Sequence, residues 1–462
     1  MATDPTLVRQ DPLPEAGAPE DVPPGRSTWA VLRPLIMRLH FYAGICIAPF
    51  LTVTALTGLL YVFTPQLEQW AYAHELHVPA ATTSAPLSAQ IDTAKAALPD
   101  RELSAVRPAP TATDTTQVIF APDAGRSDSY HRTVFVDPHT GEVRGNLETY
   151  GDGQSLPLRT WVDNLHRGLH LGDAGRVYSE LAASWLWVVV LGGLALWIGR
   201  RRRERRARLL LAPEFRPAGR KRVLSWHGAV GIWAAIGLLF LSATGLTWSL
   251  FAGENVTALR AALSWETPEV TTDVPPAPAA GPSGDVGVDR VHQVALGQGL
   301  NGPVEITPPD GPGSAYTVMQ VQRHWPTQQD QIAVDPANGN VTGIVRFADY
   351  PLTAKLSRWG IDAHMGILFG WVNQVLLASL ALGLLSMIFW GYRMWWLRRP
   401  TRGFGRLPER GAWRRIPGRV LAPIIVGGAF IAYFVPLLGA SLLLFLIVDI
   451  VLGLRARRIT GA

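Results

Sequence analysis

Four long apolar stretches divide the sequence, and each is long enough to cross a membrane as a helix. About 20 apolar residues span a bilayer, and the four stretches are Phe41–Phe63, Val177–Ile198, Gly228–Phe251 and Gly366–Trp390. A fifth apolar block, Val420–Leu454, is too long for one ordinary span and contains Pro436. Basic residues flank this block on both sides, which favours a two-span hairpin over one long kinked helix. The pattern predicts a mainly α integral membrane protein with six spans.

The positions of the basic residues predict the orientation of the spans. They precede the first and third stretches and follow the second and fourth, and Arg200–Arg208 contains seven arginines in nine residues. Because basic ends stay in the cytoplasm, we expect both termini there, with residues 64–160 and 252–357 outside. The arginine run is interpreted as a topology signal; the alternative is a dock for an acidic redox partner or anionic lipid.

Composition narrows the class of protein further. The chain is 48% hydrophobic and 17% charged, and its net charge is +6. Its basic residues lie beside the apolar stretches, so no nucleic-acid partner is indicated. A single cysteine, Cys46, excludes a disulfide scaffold and cysteine-ligated metal within the chain. Arginine far outnumbers lysine, as in GC-rich bacterial genomes, so we expect a bacterial cytoplasmic (inner) membrane protein surrounded by lipid bilayer.

The sequence repeats itself in two registers. An offset of 187 residues superposes His40 on His227, Gly44 on Gly231 and Gly58 on Gly245. An offset of 198 superposes His166 on His364 and the Val136–Gly141 turn on Val334–Gly339. The repeat predicts two span–module–span units related by a pseudo-twofold axis along the membrane normal. Each external module is expected to be a small α+β unit with a β-hairpin at its Asp-Pro-x-x-Gly turn.

These observations give a predicted division of the chain. It consists of a disordered cytoplasmic tail (1–30), span 1 (31–63), external module 1 (64–160), an outer interfacial segment with span 2 (161–199), a basic cytoplasmic loop (200–226), span 3 (227–251), external module 2 (252–357), span 4 (358–397), a cytoplasmic loop (398–418) and a terminal hairpin (419–454).

Four of the eleven histidines occupy repeat-equivalent positions at the span boundaries. The repeat places His40 opposite His227 near the cytoplasmic face and His166 opposite His364 near the outer face. Ionisable groups in spans usually mark functional sites, and two facing histidines are what bis-imidazole ligation of haem iron requires. Gly44 and Gly231, one turn after their histidines, would admit a flat macrocycle. The alternatives are interfacial histidines without a role, or a copper or zinc site, which the lack of matched Cys, Met or carboxylate ligands disfavours.

Helix geometry predicts a second glycine position on the same helix face. Gly58 follows His40 by 18 residues, which is five turns and about 27 Å along a straight helix, and Gly245 stands in the same relation to His227. These glycines are expected to let an outer haem approach closely. Tight packing of helices through small residues is the alternative.

His170 has no histidine counterpart in the second half. It follows His166 by four residues, on the same face of a predicted helix, so it is a candidate to replace His166, to bind a propionate or to line an outer exit. It is equally compatible with an ordinary interfacial histidine. Further candidates for propionate binding are arginines near the span ends: Arg38 and Arg222 inside, and Arg159, Arg167, Arg176 and Arg358 outside.

The sequence lacks motifs for other redox cofactors. It contains no G-x-G-x-x-G after a strand and no P-loop, so nucleotide or flavin binding is not indicated. The electron donor would therefore be a separate cytoplasmic protein or a membrane quinol.

Two motifs resemble the PepSY-associated transmembrane family over about residues 31–399. They are Arg38–Gly44 with Thr57–Leu59, and Asn164–Asp173 with Gly175 and Arg176. The external hairpins look like the PepSY modules of that family. Some members are bis-haem reductases that reduce ferric siderophores outside the inner membrane. The resemblance implies two b-type haems, the four repeat-matched histidines as their ligands, and a ferric chelate outside as acceptor.

Two functions follow as hypotheses. The first is a haem-containing membrane oxidoreductase that passes electrons across the membrane to the external ferric chelate. The second is a non-enzymatic PepSY membrane protein that regulates an external peptidase or senses a ligand.

Overall fold

The structure, a computed structural model, describes residues 28–204, 209–274, 284–398 and 416–460. Most of the predicted N-terminal tail, Arg205–Arg208 of the arginine run and most of the 398–418 loop lie outside these ranges. The described chain is mostly helical and contains one antiparallel sheet. Its helices are α1 (Thr28–Cys46), α2 (Ala48–Val62), α3 (Thr64–Ala71), α4 (Ala73–Leu76), α5 (Leu87–Ala97), α6 (Pro157–Gly168), α7 (Gly172–Arg203), α8 (Gly219–Leu246), α9 (Phe251–Ala262), α10 (Gly287–Gly297), α11 (Leu352–His364), α12 (Trp371–Trp396), α13 (Gly418–Phe434) and α14 (Pro436–Thr460).

Several of these helices have the length and composition of membrane spans. Within the described residues α7, α8, α12 and α14 qualify singly, and α1 with α2 qualifies as a pair. The apolar C-terminal block divides at Pro436, as its sequence suggests, but α13 has only 17 residues. The structure therefore provides four or five candidate spans where the sequence predicts six.

The first predicted span is not one straight helix. Helices α1 and α2 meet at Ile47 with a bend of 58°. Pro49 lacks the N–H that would bond to the carbonyl of Ile45, four residues earlier. The hydroxyl of Tyr392 on α12 donates to that carbonyl at 3.0 Å, so the carbonyl that Pro49 leaves without a helical partner is satisfied in its apolar environment. The prediction of one helix face from His40 to Gly58 is thus wrong, whereas α8 is unbroken from His227 to Gly245.

The segments that the sequence predicts to be external form a single eight-stranded antiparallel sheet. Its strands are β1 (Leu103–Arg107), β2 (Thr116–Phe120), β3 (Tyr130–Val136), β4 (Val143–Tyr150), β5 (Val304–Thr307), β6 (Tyr316–Gln320), β7 (Gln331–Val334) and β8 (Val341–Val345). The order β4-β3-β2-β1-β5-β6-β7-β8 is symmetrical about the β1–β5 pair. The predicted hairpins are confirmed as β3–β4 and β7–β8. Gly141 and Gly339, with φ of 75° and 72°, occupy the left-handed position that each turn requires.

One hydrophobic core serves both predicted modules. Helices α5 and α10 contribute Ile91 and Val291 to the same cluster as Val106 of β1 and Ile306 of β5. Asp289 at the start of α10 accepts the backbone N–H of Leu87 at the start of α5 at 2.6 Å. The two modules are therefore one packed unit rather than two independent domains.

Part of the basic run is engaged within the protein. Arg201 is buried, lies 4.2 Å from the ring centre of Trp197 and forms an ion pair with Glu214. The backbone N–H of Glu214 donates to Ser225 on α8 at 2.8 Å. This arginine fixes the following loop against the helices and is not available to a partner.

Candidate functional site

The inner pair of histidines, on α1 and α8, faces each other closely. The ring centres of His40 and His227 are 6.4 Å apart, with ring planes inclined at 77°. Two imidazoles that bind one metal ion from opposite sides have ring centres about 6 Å apart, because each metal–nitrogen bond is about 2 Å long and the ring centre lies roughly 1 Å beyond the nitrogen. The rings are too far apart to bond to each other, and their separation fits one ion between them.

Hydrogen bonds fix the tautomer of both inner histidines. Nδ1 of His40 lies 3.0 Å from the carbonyl oxygen of Val189, and Nδ1 of His227 lies 3.0 Å from that of Met387. A carbonyl oxygen only accepts, so each Nδ1 carries the proton and each Nε2 keeps its lone pair. A metal-binding histidine commonly donates its other ring N–H in this way.

The outer pair uses a different acceptor with the same result. Nδ1 of His166 at the end of α6 lies 2.9 Å from Oγ1 of Thr57, and Nδ1 of His364 at the end of α11 lies 2.6 Å from Oγ1 of Thr244. Both threonine hydroxyls donate their own protons to helix carbonyls, those of Val53 and Phe240. Each hydroxyl therefore accepts from the imidazole, and Nε2 again keeps its lone pair.

The outer imidazoles are held in the neutral form. Burial lowers the pKa of His166, and burial together with the neighbouring His166 lowers the pKa of His364 to about 3. A neutral imidazole is the form that binds a metal ion. Among the described residues no hydrogen bond reaches Nε2 of any of the four histidines.

Both outer histidines line a cavity of about 400 Å³. Its volume is that of a small-molecule site. Side chains of α2, α7, α8 and α12 give it apolar walls, and charged side chains line its polar part. Among them are Asp163 and Arg167 on α6, Arg176 on α7, Arg358 on α11, and Asp152 and Arg323 in the loops after β4 and β6.

Only some of the arginines that were predicted to bind propionates lie at the cavity. Arg167, Arg176 and Arg358 line the cavity. Arg159 instead contacts Tyr61 and Glu68, and Arg38 forms an ion pair with Asp449 on α14. Arg222 is exposed at the start of α8. Arg323, in the loop after β6, also lines the cavity and was missed, because nothing in its local sequence distinguishes it.

The outer glycines lie against the histidine rings. A Cβ at Gly58 would lie 3.0 Å from Cε1 of His166, and one at Gly245 would lie 3.8 Å from Cε1 of His364. At the inner site, the same contact is made by a glycine that sequence reasoning missed, Gly193, whose Cβ would lie 3.0 Å from Cε1 of His40.

The two glycines predicted for the inner site have different surroundings. A Cβ at Gly44 would meet no atom within 4 Å, whereas one at Gly231 would lie 3.3 Å from Sδ of Met387.

His170 does not lie on a helix with His166. Helix α6 ends at Gly168, and Leu169 and His170 both adopt positive φ values, so the prediction of a shared helical face is wrong. His170 is exposed, its ring centre is 5.0 Å from that of Trp161, and it is not among the residues that line the cavity.

Clusters suited to a bare metal ion are lacking in the described part of the chain. No group of three or more His, Cys, Asp and Glu side chains comes together there. The residues present suit a metal that brings most of its ligands with it, as the iron of a macrocycle does.

The fold and the site define a multi-pass membrane protein with two paired-histidine sites and an antiparallel sheet joined to its helices. The family model of the PepSY-associated TM region matches residues 37–398, and the chain belongs to this family. No curated protein matches it significantly.

Proposed function

We propose that the chain is a bis-haem membrane reductase that passes electrons across the cytoplasmic membrane to an external ferric siderophore or other ferric chelate. The observation that carries the proposal is the matched tautomer of four histidines in two pairs. His40 and His227 would hold one haem, and His166 and His364 the other. Each bound haem would supply a one-electron redox centre.

The protein's own groups would orient and shield these centres. The carbonyls of Val189 and Met387, and the hydroxyls of Thr57 and Thr244, fix the rings so that each Nε2 is available. The apolar walls of the outer cavity would exclude water, which keeps a redox centre from side reactions. Its polar outer end would meet the acceptor.

The proposed orientation follows from charge. The inner pair lies toward the basic helix ends, so those ends would be cytoplasmic and the sheet would face outward. The symmetrical strand order and the matched histidine contacts support a duplicated architecture with a pseudo-twofold axis, to which α13 and α14 would add a terminal hairpin and complete six spans. The donor would be a cytoplasmic redox protein or a membrane quinol.

The decisive experiment is an optical spectrum of the purified protein from haem-replete cells. We expect a dithionite-reduced b-type spectrum and about two haems per chain. His227→Ala should remove the inner haem and leave the outer one, whereas His292→Ala, in the external module, should change neither. A colourless preparation would refute the proposal.

The alternative, a non-enzymatic PepSY protein, makes opposite predictions. In that case substitution of the four histidines would leave function intact, and disruption of the Asp137–Gly141 or Asp335–Gly339 turn would abolish it. This alternative assigns no role to the matched hydrogen bonds at Nδ1.

A further inference from the structure

One buried carboxylate holds two arginines at the outer cavity. Asp362 on α11 is completely buried, accepts from Nε of Arg323 at 2.7 Å and accepts from Nε of Arg358 at 3.0 Å. Both arginines line the cavity. One negative charge therefore faces two positive charges, and the three groups together keep a charge of +1.

The geometry leaves hydrogen-bond donors directed at the cavity. Arg358 bonds to Asp362 through Nε alone, and its two terminal nitrogens have no hydrogen bond to any described residue and are not buried. Burial and the positive charge of Arg323 lower the pKa of Arg358, although Asp362 and Asp152 oppose this effect. The two terminal nitrogens of Arg358 are thus the donors that an anion in the cavity could use.

Arg323 is fixed in place from the other side. It reaches across from the second module to the loop after β4 in the first module, where a Cβ at Gly153 would lie 2.6 Å from its Nη1. Its Nη2 also contacts Sδ of Met365 at 3.2 Å. A guanidinium held on three sides is preorganised and loses little freedom when it binds a ligand.

The arrangement belongs to the second half of the chain alone. In the 198-residue register, Thr160 and Asn164 correspond to Arg358 and Asp362. Strands β2 and β6, which precede Arg323, align at an offset of 200, and Asp123 then corresponds to Arg323. The repeat itself therefore does not require these charges, whereas it keeps the histidines in both halves.

We propose that Arg323 and Arg358, positioned by Asp362, form a carboxylate-binding site at the outer cavity. The planar fork of arginine matches a carboxylate with paired hydrogen bonds. The carboxylate would be a propionate of a porphyrin in the cavity or a carboxylate of the external acceptor. This choice of ligands rests on the proposed function.

The first test uses metal-free protoporphyrin IX and its dimethyl ester, which differ only in their carboxylates. Fluorescence titration of the haem-free full-length chain should show about tenfold tighter binding of the free acid. Arg323→Gln with Arg358→Gln should bring this ratio to about 1, and Asp362→Asn should reduce it while both arginines remain. Arg126→Gln, which removes an exposed arginine paired with Glu148, should leave the ratio unchanged.

The second test addresses the acceptor. In the haem-loaded chain, we compare the rates of reduction of anionic ferric citrate and of the uncharged ferric tris-acetohydroxamate complex. If the site binds the acceptor, the double arginine variant should lower the citrate rate about tenfold relative to the uncharged complex. Arg323→Lys with Arg358→Lys should restore part of the preference, since the charges return without the fork.

The carboxylate site and the proposed reductase function can be refuted separately. The metal-free porphyrin forms no iron–histidine bond, so its carboxylate preference should survive His166→Ala and His364→Ala, which remove haem. A chain that prefers the free acid but binds no haem would refute the reductase and leave the carboxylate site intact. If the double arginine variant changes neither ratio, or if the wild type shows neither preference, the carboxylate site is refuted.

Discussion

The hydroxyl of Thr57 determines which nitrogen of His166 is free. It donates to the carbonyl of Val53 and must therefore accept from Nδ1 of the imidazole. Thr57→Val keeps the shape of the side chain and removes the acceptor, so we expect outer-site haem affinity to fall by about 10–100-fold. The measurement is haem titration in the His227→Ala chain, which isolates the outer site.

A matched control exists on the same helix. Thr52 also donates to a helix carbonyl, that of Ala48, but contacts no histidine. Thr52→Val should leave the affinity unchanged. Equal affinities for both variants would show that the hydroxyl of Thr57 does not orient the ligand.

Glu68 makes stability depend on pH. Burial raises its pKa to about 7, although Arg159 and the backbone N–H of Leu156 both act to lower it. The folded protein therefore holds a proton that the unfolded chain releases at a lower pH, near 4.5. This contribution stabilises the fold at low pH and is lost as pH rises from about 4.5 to about 7.

The prediction is a loss of stability of the wild type relative to Glu68→Gln between pH 5 and pH 8, because the buried outer histidines add the opposite pH dependence to both proteins. Glu68→Gln keeps an acceptor for Leu156 and cannot ionise, so the difference in free energy of unfolding between the two proteins should change by roughly 3 kcal/mol over this range. Glu148→Gln, which changes an exposed carboxylate paired with Arg126, is the control. Identical pH profiles for the wild type and Glu68→Gln would contradict the assignment.

At the level of residues, the internal repeat of the sequence is the feature that predicts the candidate site. The histidine pairs and Gly58 stand out because an offset of 187 or 198 residues aligns them, and the structure brings each pair together. Arg323 and Gly193 give no such signal. Their positions beside Gly153 and His40 depend on contacts between distant parts of the chain, which local sequence does not encode.

At the level of elements, the break between α1 and α2 has a polar partner that can be tested. Tyr392→Phe removes the donor to the carbonyl of Ile45, and we expect a loss of about 1 kcal/mol in the free energy of unfolding. In the Pro49→Ala chain the loss should be smaller, because the new N–H at position 49 can bond to that carbonyl.

A double-mutant cycle measures the difference, with unfolding followed in detergent. Tyr433→Phe, an exposed tyrosine on α13, controls for the loss of a hydroxyl. If Tyr392→Phe costs the same in both backgrounds, Pro49 is not the reason for this hydrogen bond.

Hydrophobic patterning predicts which helices and hairpins form better than it predicts where a helix bends or ends. Apolar length identified every candidate span, and the Asp-Pro-x-x-Gly turns identified two hairpins. The bend at Ile47 does not follow from apolar length, because a straight and a bent helix carry the same apolar pattern, and Pro49 is its only local sign. The end of α6 at Gly168 was missed because the conformation of Leu169 and His170 is set by tertiary packing.

At the level of the whole molecule, a buried ion pair attaches the C-terminal helix to the family region. Arg38 on α1 pairs with Asp449 on α14, which lies beyond residue 398, where the family match ends. Asp449→Ala would remove the charged partner of Arg38 on α14, and we expect a loss of about 1.5–3 kcal/mol in the free energy of unfolding. Arg38→Asp combined with Asp449→Arg should recover part of it.

The measurement is thermal unfolding of the full-length chain in detergent. Glu148→Ala, which breaks the exposed pair with Arg126, should cost at most about 1 kcal/mol and serves as control. A loss of that same small size for Asp449→Ala would show that contacts other than this ion pair hold α14.

The sheet that joins the two modules also sets the order in which the protein can mature. The β1–β5 pairing brings Val106 against Ile306, two positions separated by 200 residues of chain. At roughly 5–20 residues per second, ribosomes need about 10–40 s to make that intervening segment. Throughout that interval one edge of β1 has no partner strand, and Val106 lacks the core residues that the second module supplies. An unpaired strand edge of this kind promotes aggregation. The sheet is thus more exposed to aggregation during synthesis than after the β1–β5 pair has formed.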